Sequence, residues 1–185
     1  MDPTRNTVKR TTDGTPRSDA KRSIDGTVDH GALKSNQLII ITLSLLAFVL
    51  NSAPLVAGTA LVMAAGTFMG KPGFHPVYSR ILLPLGLLKP EVLPDNPSPH
   101  RFAQGFGGIV LLTGAITLFS GAQLVGWALV WLVIFLAAIN AFAGFCAGCF
   151  LYYQLGRLGV AGFTHQAPEG TRPGFKPSNK AGSDV

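Results

Sequence analysis

The sequence predicts an all-α polytopic membrane protein, with four transmembrane helices arranged as two hairpins and an interfacial loop between them. Three observations support this. The 185 residues are 48% hydrophobic and only 13% charged, and mean hydropathy is +0.37, which is too apolar for an ordinary soluble domain. Two stretches without any charged residue, 36–70 and 102–156, are long enough to cross a bilayer, which takes about 20 residues per span. All 15 lysines and arginines fall outside those stretches, in an N-terminal tail, a central loop Lys71–Arg101 and a tail from Arg157.

Residues 1–35 are rich in Thr, Asp, Lys, Arg and Gly and have little to bury, so they read as a disordered tail. The first apolar run begins only at Leu38, and Pro54 follows the one cleavage candidate, Ala53. The run therefore reads as a retained anchor, not a secretory signal. Residues 36–159 form the membrane domain. Asn51-Ser52-Ala53-Pro54 breaks the first apolar stretch, because a turn-forming Asn and Ser precede a proline that suits the first turn of a new helix. This places spans at 37–50 and 54–68, both short for a bilayer.

The loop Lys71–Arg101 gathers seven prolines, and its apolar piece Ile81–Leu88 is too short to span, so it reads as surface-lying. A third span covers 102–119 and a fourth 124–145, the latter extending to 156. Gly107, Gly114 and Gly121 on the third span, with Ala141, Gly144 and Gly148 on the fourth, are small-residue stripes expected to face each other. Trp127, Trp131, Tyr152 and Tyr153 lie near the ends of the fourth span, where interfacial anchors belong. Residues 160–185 read as a second disordered tail. With every basic residue on one side, the positive-inside rule puts both termini of this multi-pass protein in the cytoplasm.

The only two cysteines, Cys146 and Cys149, form a C-x-x-C pair within the fourth apolar run. Positions i and i+3 share a helix face, so the pair could do thiol or sulfur chemistry, hold half a metal site, or simply pack as small hydrophobes. Late in a continuous helix the thiolate would meet the negative end of the dipole. A break at Gly144 would remove that obstacle by letting Phe145 start a new helix. Arg80, His100 and Arg101 sit on the same expected side and are candidate substrate contacts, as is Asn140, an intramembrane amide that equally suits helix–helix bonding. A metal alternative takes Cys146, Cys149, His75 and His100 as a tetrahedral set, although the spacing is not diagnostic.

Asp95-Asn96-Pro97-Ser98-Pro99-His100-Arg101-Phe102, followed by Phe145-Cys146-Ala147-Gly148-Cys149, resembles a bacterial family of small membrane proteins catalogued as a domain of unknown function. The resemblance implies a sulfur-linked role with a thioredoxin-like or sulfurtransferase partner. The four-helix layout is also similar to DoxX-type and methylamine-utilisation membrane proteins, an analogy of architecture that implies thiol or quinone redox work. The leading expectation is a membrane thiol-redox or sulfur-handling protein, with Cys146 and Cys149 as its reactive pair. The alternatives are a non-catalytic membrane subunit or a small transporter of a sulfur species, which would need to oligomerise. No cofactor fingerprint is present: there is no phosphate loop, dinucleotide motif, zincin helix or serine elbow. The net charge of +6 comes without interleaved aromatics or a DNA-binding motif, so the expected contact is the lipid bilayer and not nucleic acid.

Overall fold

The computed structural model describes residues 27–70, 72–84, 91–160, 162–163 and 172–176. Most of both expected tails, and residues 85–88 of the surface-lying piece, lie outside the described residues. The described chain is mostly helical, with one two-stranded antiparallel sheet pairing β1 (Thr27–Asp29) with β2 (Val92–Pro94).

Helix α1 (His30–Val49) begins well before the expected start at 37. Composition pointed to a tail, but Asp29 caps the helix by accepting the Gly31 N–H at 2.9 Å and the Ala32 N–H at 3.3 Å. The same carboxylate accepts the Glu91 N–H at 3.0 Å and the Tyr78 hydroxyl at 2.9 Å. The start of α1 is thereby tied to the central loop. Helix α2 (Ala53–Met69) follows the Asn51-Ser52 turn, with Ser52 accepting the Leu55 N–H at its cap, and ends at a left-handed Gly70. A short turn α3 (His75–Val77) runs into a π turn at Tyr78–Leu82. Asn36 in α1 accepts the Phe74 N–H at 3.1 Å and holds this loop against the bundle.

Helix α4 (Pro97–Phe119) starts five residues earlier than expected, because Asn96 caps it and Pro97 suits its first turn. Helix α5 (Gln123–Ala138) widens into a π turn at Ile139–Ala143, and α6 (Ala147–Arg157) is a separate helix. The expected single fourth helix through the cysteines is therefore two helices, divided at Gly144.

Three helical stretches, His30–Val49, Pro97–Phe119 and Gln123–Ala143, are long and apolar enough to cross a membrane. No more than 33% of any of them is buried inside the protein. Ile109, Ile116, Leu124 and Phe135 instead point outward, and a helix apolar all round is the form a lipid surroundings requires. The chain thus has the character of a membrane protein. Helix α2, at 17 residues, stands at the lower limit for a span.

Helices α1, α2, α4 and α5 close a ring, α4 packing on α2 and α5 while α1 packs on those same two helices. Ile40, Val56, Met63, Leu111 and Val130 fill its core. The small-residue stripes do not meet as expected. Gly107 and Gly108 face Met63 of α2, Gly114 faces Gly126 of α5, Gly121 stands open in a turn, and Gly148 abuts Ala103. Helix α4 packs on α2, α5 and α6, and its glycines are divided between the first two. Tyr152 and Tyr153 are buried and are not interfacial anchors, whereas Trp127 and Trp131 pack edge-on against Phe48.

Gly66 tests this packing, since a Cβ there would collide with the Gly73 backbone and the Gln104 amide, while a Cβ at Gly58 would meet nothing within 4 Å. Gly66→Ala is expected to destabilise by about 1–3 kcal/mol, the usual cost of overpacking, and Gly58→Ala to leave thermal unfolding in detergent unlowered. Equal melting temperatures for the two variants would contradict the packing.

Candidate functional site

The site is created by the end of a helix. After the π turn, Gly144 takes the left-handed conformation (φ 65°), and Cys146 is extended at φ −97° and ψ 102°. Glycine reaches positive φ without steric cost, which makes it the natural stop. Cys146 then occupies the N-cap of α6, and its Sγ accepts the Cys149 N–H at 3.1 Å. The two cysteines form a disulfide with Cα atoms 5.2 Å apart, inside the ordinary range for a bridge. The pair opens a helix and does not lie late in one, so the dipole at Cys146 favours a thiolate.

Helix α4 delivers His100 from its first turn. The His100 Nδ1 lies 3.5 Å from Cys149 Sγ, and its Nε2 lies 2.9 Å from Asp95 Oδ2. The β1–β2 pairing brings His30, at the start of α1, to the same carboxylate, with its Nε2 at 3.1 Å. That nitrogen is off the hydrogen-bonding direction and has no hydrogen bond. His30 and Asp95 are only 8% and 5% exposed.

Burial of Asp95 works against its charge, but the His100 hydrogen bond, the nearby His30, the His100 charge and the Asn96 N–H together hold its carboxyl well below the usual range. An ionised Asp95 can only accept, so His100 Nε2 is the donor and Nδ1 is left facing the sulfur. Tyr153 is also turned toward this cluster. Its burial, the Asp95 charge and the neighbouring Tyr152 push its hydroxyl up to about 12.

A cavity of about 30 Å³ lies over the disulfide, bounded by His100, Asp95, Tyr153, Arg172, Phe175 and Lys176 among others. A second cavity, of about 90 Å³, lies beyond Cys146 between the helices, with Asn140 and Gln104 among apolar walls.

Of the candidate residues, Cys146, Cys149 and His100 are brought together, and Asn140 borders the inner cavity shared with Cys146. Arg101 is exposed and reaches the other way, donating to the Thr67 carbonyl at 3.3 Å. Arg80 is exposed on the π turn and lines neither cavity. His75 lines a further cavity, away from the cysteines, with Arg101 and the other side of His100. Among the described residues, two groups of side chains could hold a metal: His100 with the two cysteines, and His30 with Asp95 and His100. Neither contains His75, so the four-residue set of the metal alternative is not assembled.

Sequence reasoning missed His30, Asp95, Arg172 and Lys176. His30 and the last two lay in stretches whose composition suggested tails. Asp95 stood in the quoted motif, five residues before His100, and only its burial identifies it as that histidine's partner.

The fold and site define a helical membrane-type protein with a helix-opening disulfide set against a histidine–carboxylate pair. The chain belongs to the family described as a domain of unknown function, DUF4395, whose profile matches residues 28–157. That span contains every site residue except Arg172, Phe175 and Lys176. No curated protein and no solved structure matches the chain.

Asp95→Asn removes the negative charge that accepts from His100 and lies against His30, and losing a hydrogen bond to a charged group costs roughly 1.5–3 kcal/mol. Because the folded carboxyl titrates below its reference value of 3.8, the ionised group stabilises the fold above that value and ceases to do so as pH falls through the folded pKa. The stability gap between the native protein and Asp95→Asn is therefore expected in full at pH 7 and to narrow below pH 3.8. Thermal melts across that range check it, and a constant gap would show that the carboxylate charge is not responsible.

Proposed function

We propose that the protein is a four-span membrane thiol–disulfide exchanger, with both termini in the cytoplasm of a bacterial cell and Cys146–Cys149 as its redox pair. The carrying observation is the C-x-x-C at a helix N-terminus with His100 on Cys149. This arrangement gives each cysteine a different role. Cys146 has the Cys149 N–H and the helix dipole to hold negative charge on sulfur. Cys149 has an imidazole placed to give or take a proton, oriented by a carboxylate on its far nitrogen.

In the reducing direction for the pair, a partner thiolate attacks the Cys146 sulfur along the S–S axis. The bond between Cys146 and Cys149 breaks, and the Cys149 sulfur leaves with the electron pair and takes the Nδ1 proton of His100 in its imidazolium form, leaving a neutral imidazole that still donates from Nε2 to Asp95. A second partner thiolate then attacks the mixed disulfide and releases Cys146 as a thiolate. The partner ends as a disulfide, and the pair has gained two electrons. Run backwards, with His100 as base toward Cys149, the same steps reduce a partner disulfide. A soluble thioredoxin-like or sulfurtransferase dithiol protein acting from the basic side of the membrane is the fitting partner. Basic residues confined to alternate loops, together with α2 as a minimal span, support the four-span arrangement.

Alkylation trapping in membranes tests the reading. Native Cys146–Cys149 is expected to cycle between oxidised and reduced forms with a thioredoxin-class dithiol protein, and Cys149→Ser to accumulate a mixed disulfide through Cys146. His100→Ala should slow exchange by about a hundredfold while the protein stays folded, the scale of a lost proton-transfer group. If the double alanine variant is folded and fully active in the cell, the pair only packs the bundle, and the protein is a non-catalytic subunit. Orientation has its own check: a periplasm-active reporter should work at Ser120 and fail at Val185, and the reverse would overturn the topology.

A further inference from the structure

The disulfide is roofed by the protein's own C-terminal segment. Arg172, Pro173, Gly174 and Phe175 form a turn closed by the Phe175 N–H donating to the Arg172 carbonyl at 3.0 Å. Proline followed by a positive-φ glycine (φ 85° at Gly174) is the type II pattern. The turn lies against the short extended stretch between the helix break and α6. The Cys146 N–H donates to the Gly174 carbonyl at 2.7 Å, and the Lys176 N–H donates to the Gly144 carbonyl at 3.1 Å. Phe145 and Phe175 face each other as an antiparallel bridge with ring centroids 5.1 Å apart. Lys176 also pairs with Glu91.

Under this roof Cys146 is 6% and Cys149 3% exposed, in a cavity of about 30 Å³. That is room for about two waters. With so little of either cysteine exposed, exchange with a protein calls for the turn to move aside. Among the described residues, what holds it is modest and interchangeable: two main-chain hydrogen bonds, an aromatic contact through a half-exposed Phe175, and an ion pair whose side chains are 38% and 41% exposed. Main-chain bonds of this kind can be made by any extended peptide, as in recognition by strand addition.

We propose, resting on the thiol-exchange reading above, that the Gly144–Cys146 edge is the docking strand for an extended segment of the thiol partner, and that residues 172–176 occupy it until the partner displaces them. The resident turn describes the chemistry of the replacement. Beside Cys146 the segment has no room for a side chain: a Cβ at Gly174 would fall 2.9 Å from Phe150 Cβ and 3.2 Å from the Cys146 carbonyl oxygen. An aromatic or apolar residue follows against Phe145, and then a basic residue that meets Glu91. The partner therefore carries a glycine, an apolar residue and a cation in sequence, next to its reactive thiol.

The test measures how fast the disulfide of the full-length detergent-solubilised protein is reduced by dithiothreitol and by a reduced thioredoxin-class protein. Lys176→Glu and, from the other side, Glu91→Gln loosen the turn without touching the cysteines. Both are expected to accelerate reduction, Lys176→Glu by about tenfold, since the native protein is open for only a fraction of the time, while Lys176→Arg keeps the slow rate. A free peptide of residues 172–176 added to Lys176→Glu should restore slow reduction, and the same peptide with Gly174→Val should not. Native rates in both loosened variants would overturn the roof, and a fast rate that the peptide leaves unchanged would overturn the docking edge. A pair that neither reductant opens, even in Lys176→Glu, would instead sink the exchange reading itself.

Discussion

The left-handed turn at Gly144 is the constraint on which the rest of the site depends. Without it the apolar run through 156 would continue as one helix, and both cysteines would lie on a regular helical face near its negative end. With it, Cys146 leaves the helix, becomes the cap of the next one, and presents its backbone N–H outward. Three properties follow from that one residue: a pair close enough to bond, a dipole of the favourable sign, and an extended edge that another strand can join. The widened π turn just before it indicates the same point, because such bulges occur where a helix is interrupted for a purpose other than its own stability.

Asp95 is the second organising group, and it works by charge. Three parts of the chain that share no helix meet at its carboxylate: His30 from the start of α1, His100 from the first turn of α4, and the loop that carries Asp95 itself. A buried carboxylate is costly unless it is paired, so its ionisation requires the histidines to stay near. The positions of the histidines in turn fix which imidazole nitrogen faces sulfur. One cluster thus both anchors three parts of the chain and sets the imidazole beside Cys149. Close packing supplies the remaining precision, since a Cβ at Gly148 would fall 2.6 Å from Ala103 Cβ and push α6 away from α4.

The membrane character, the helix-rich fold and the break at Asn51–Pro54 were legible because each is a matter of local composition or turn chemistry. The helix starts were less legible. At α1 and α4 the first turns are polar, so hydropathy missed them, while the caps Asp29 and Asn96 were the signals that would have found them. Pairing of the glycine stripes could not be read from spacing, because spacing identifies a face and not the neighbour it meets.

By itself, the sequence determined that the chain is apolar enough for a bilayer, that its basic residues fall outside its two long uncharged stretches, and that its two cysteines stand three apart with a glycine just before them. These are properties of neighbouring residues, set by solvation and by the local cost of backbone angles. Only the tertiary structure decided that the helix does stop at Gly144, that His100 and not Arg101 or His75 reaches the sulfur, that His30 and Asp95 join it, and that residues 172–176 fold back over the bond. Each of these joins residues tens of positions apart, and which of them meet is decided by the packing of the whole ring and by the need of one buried charge for partners.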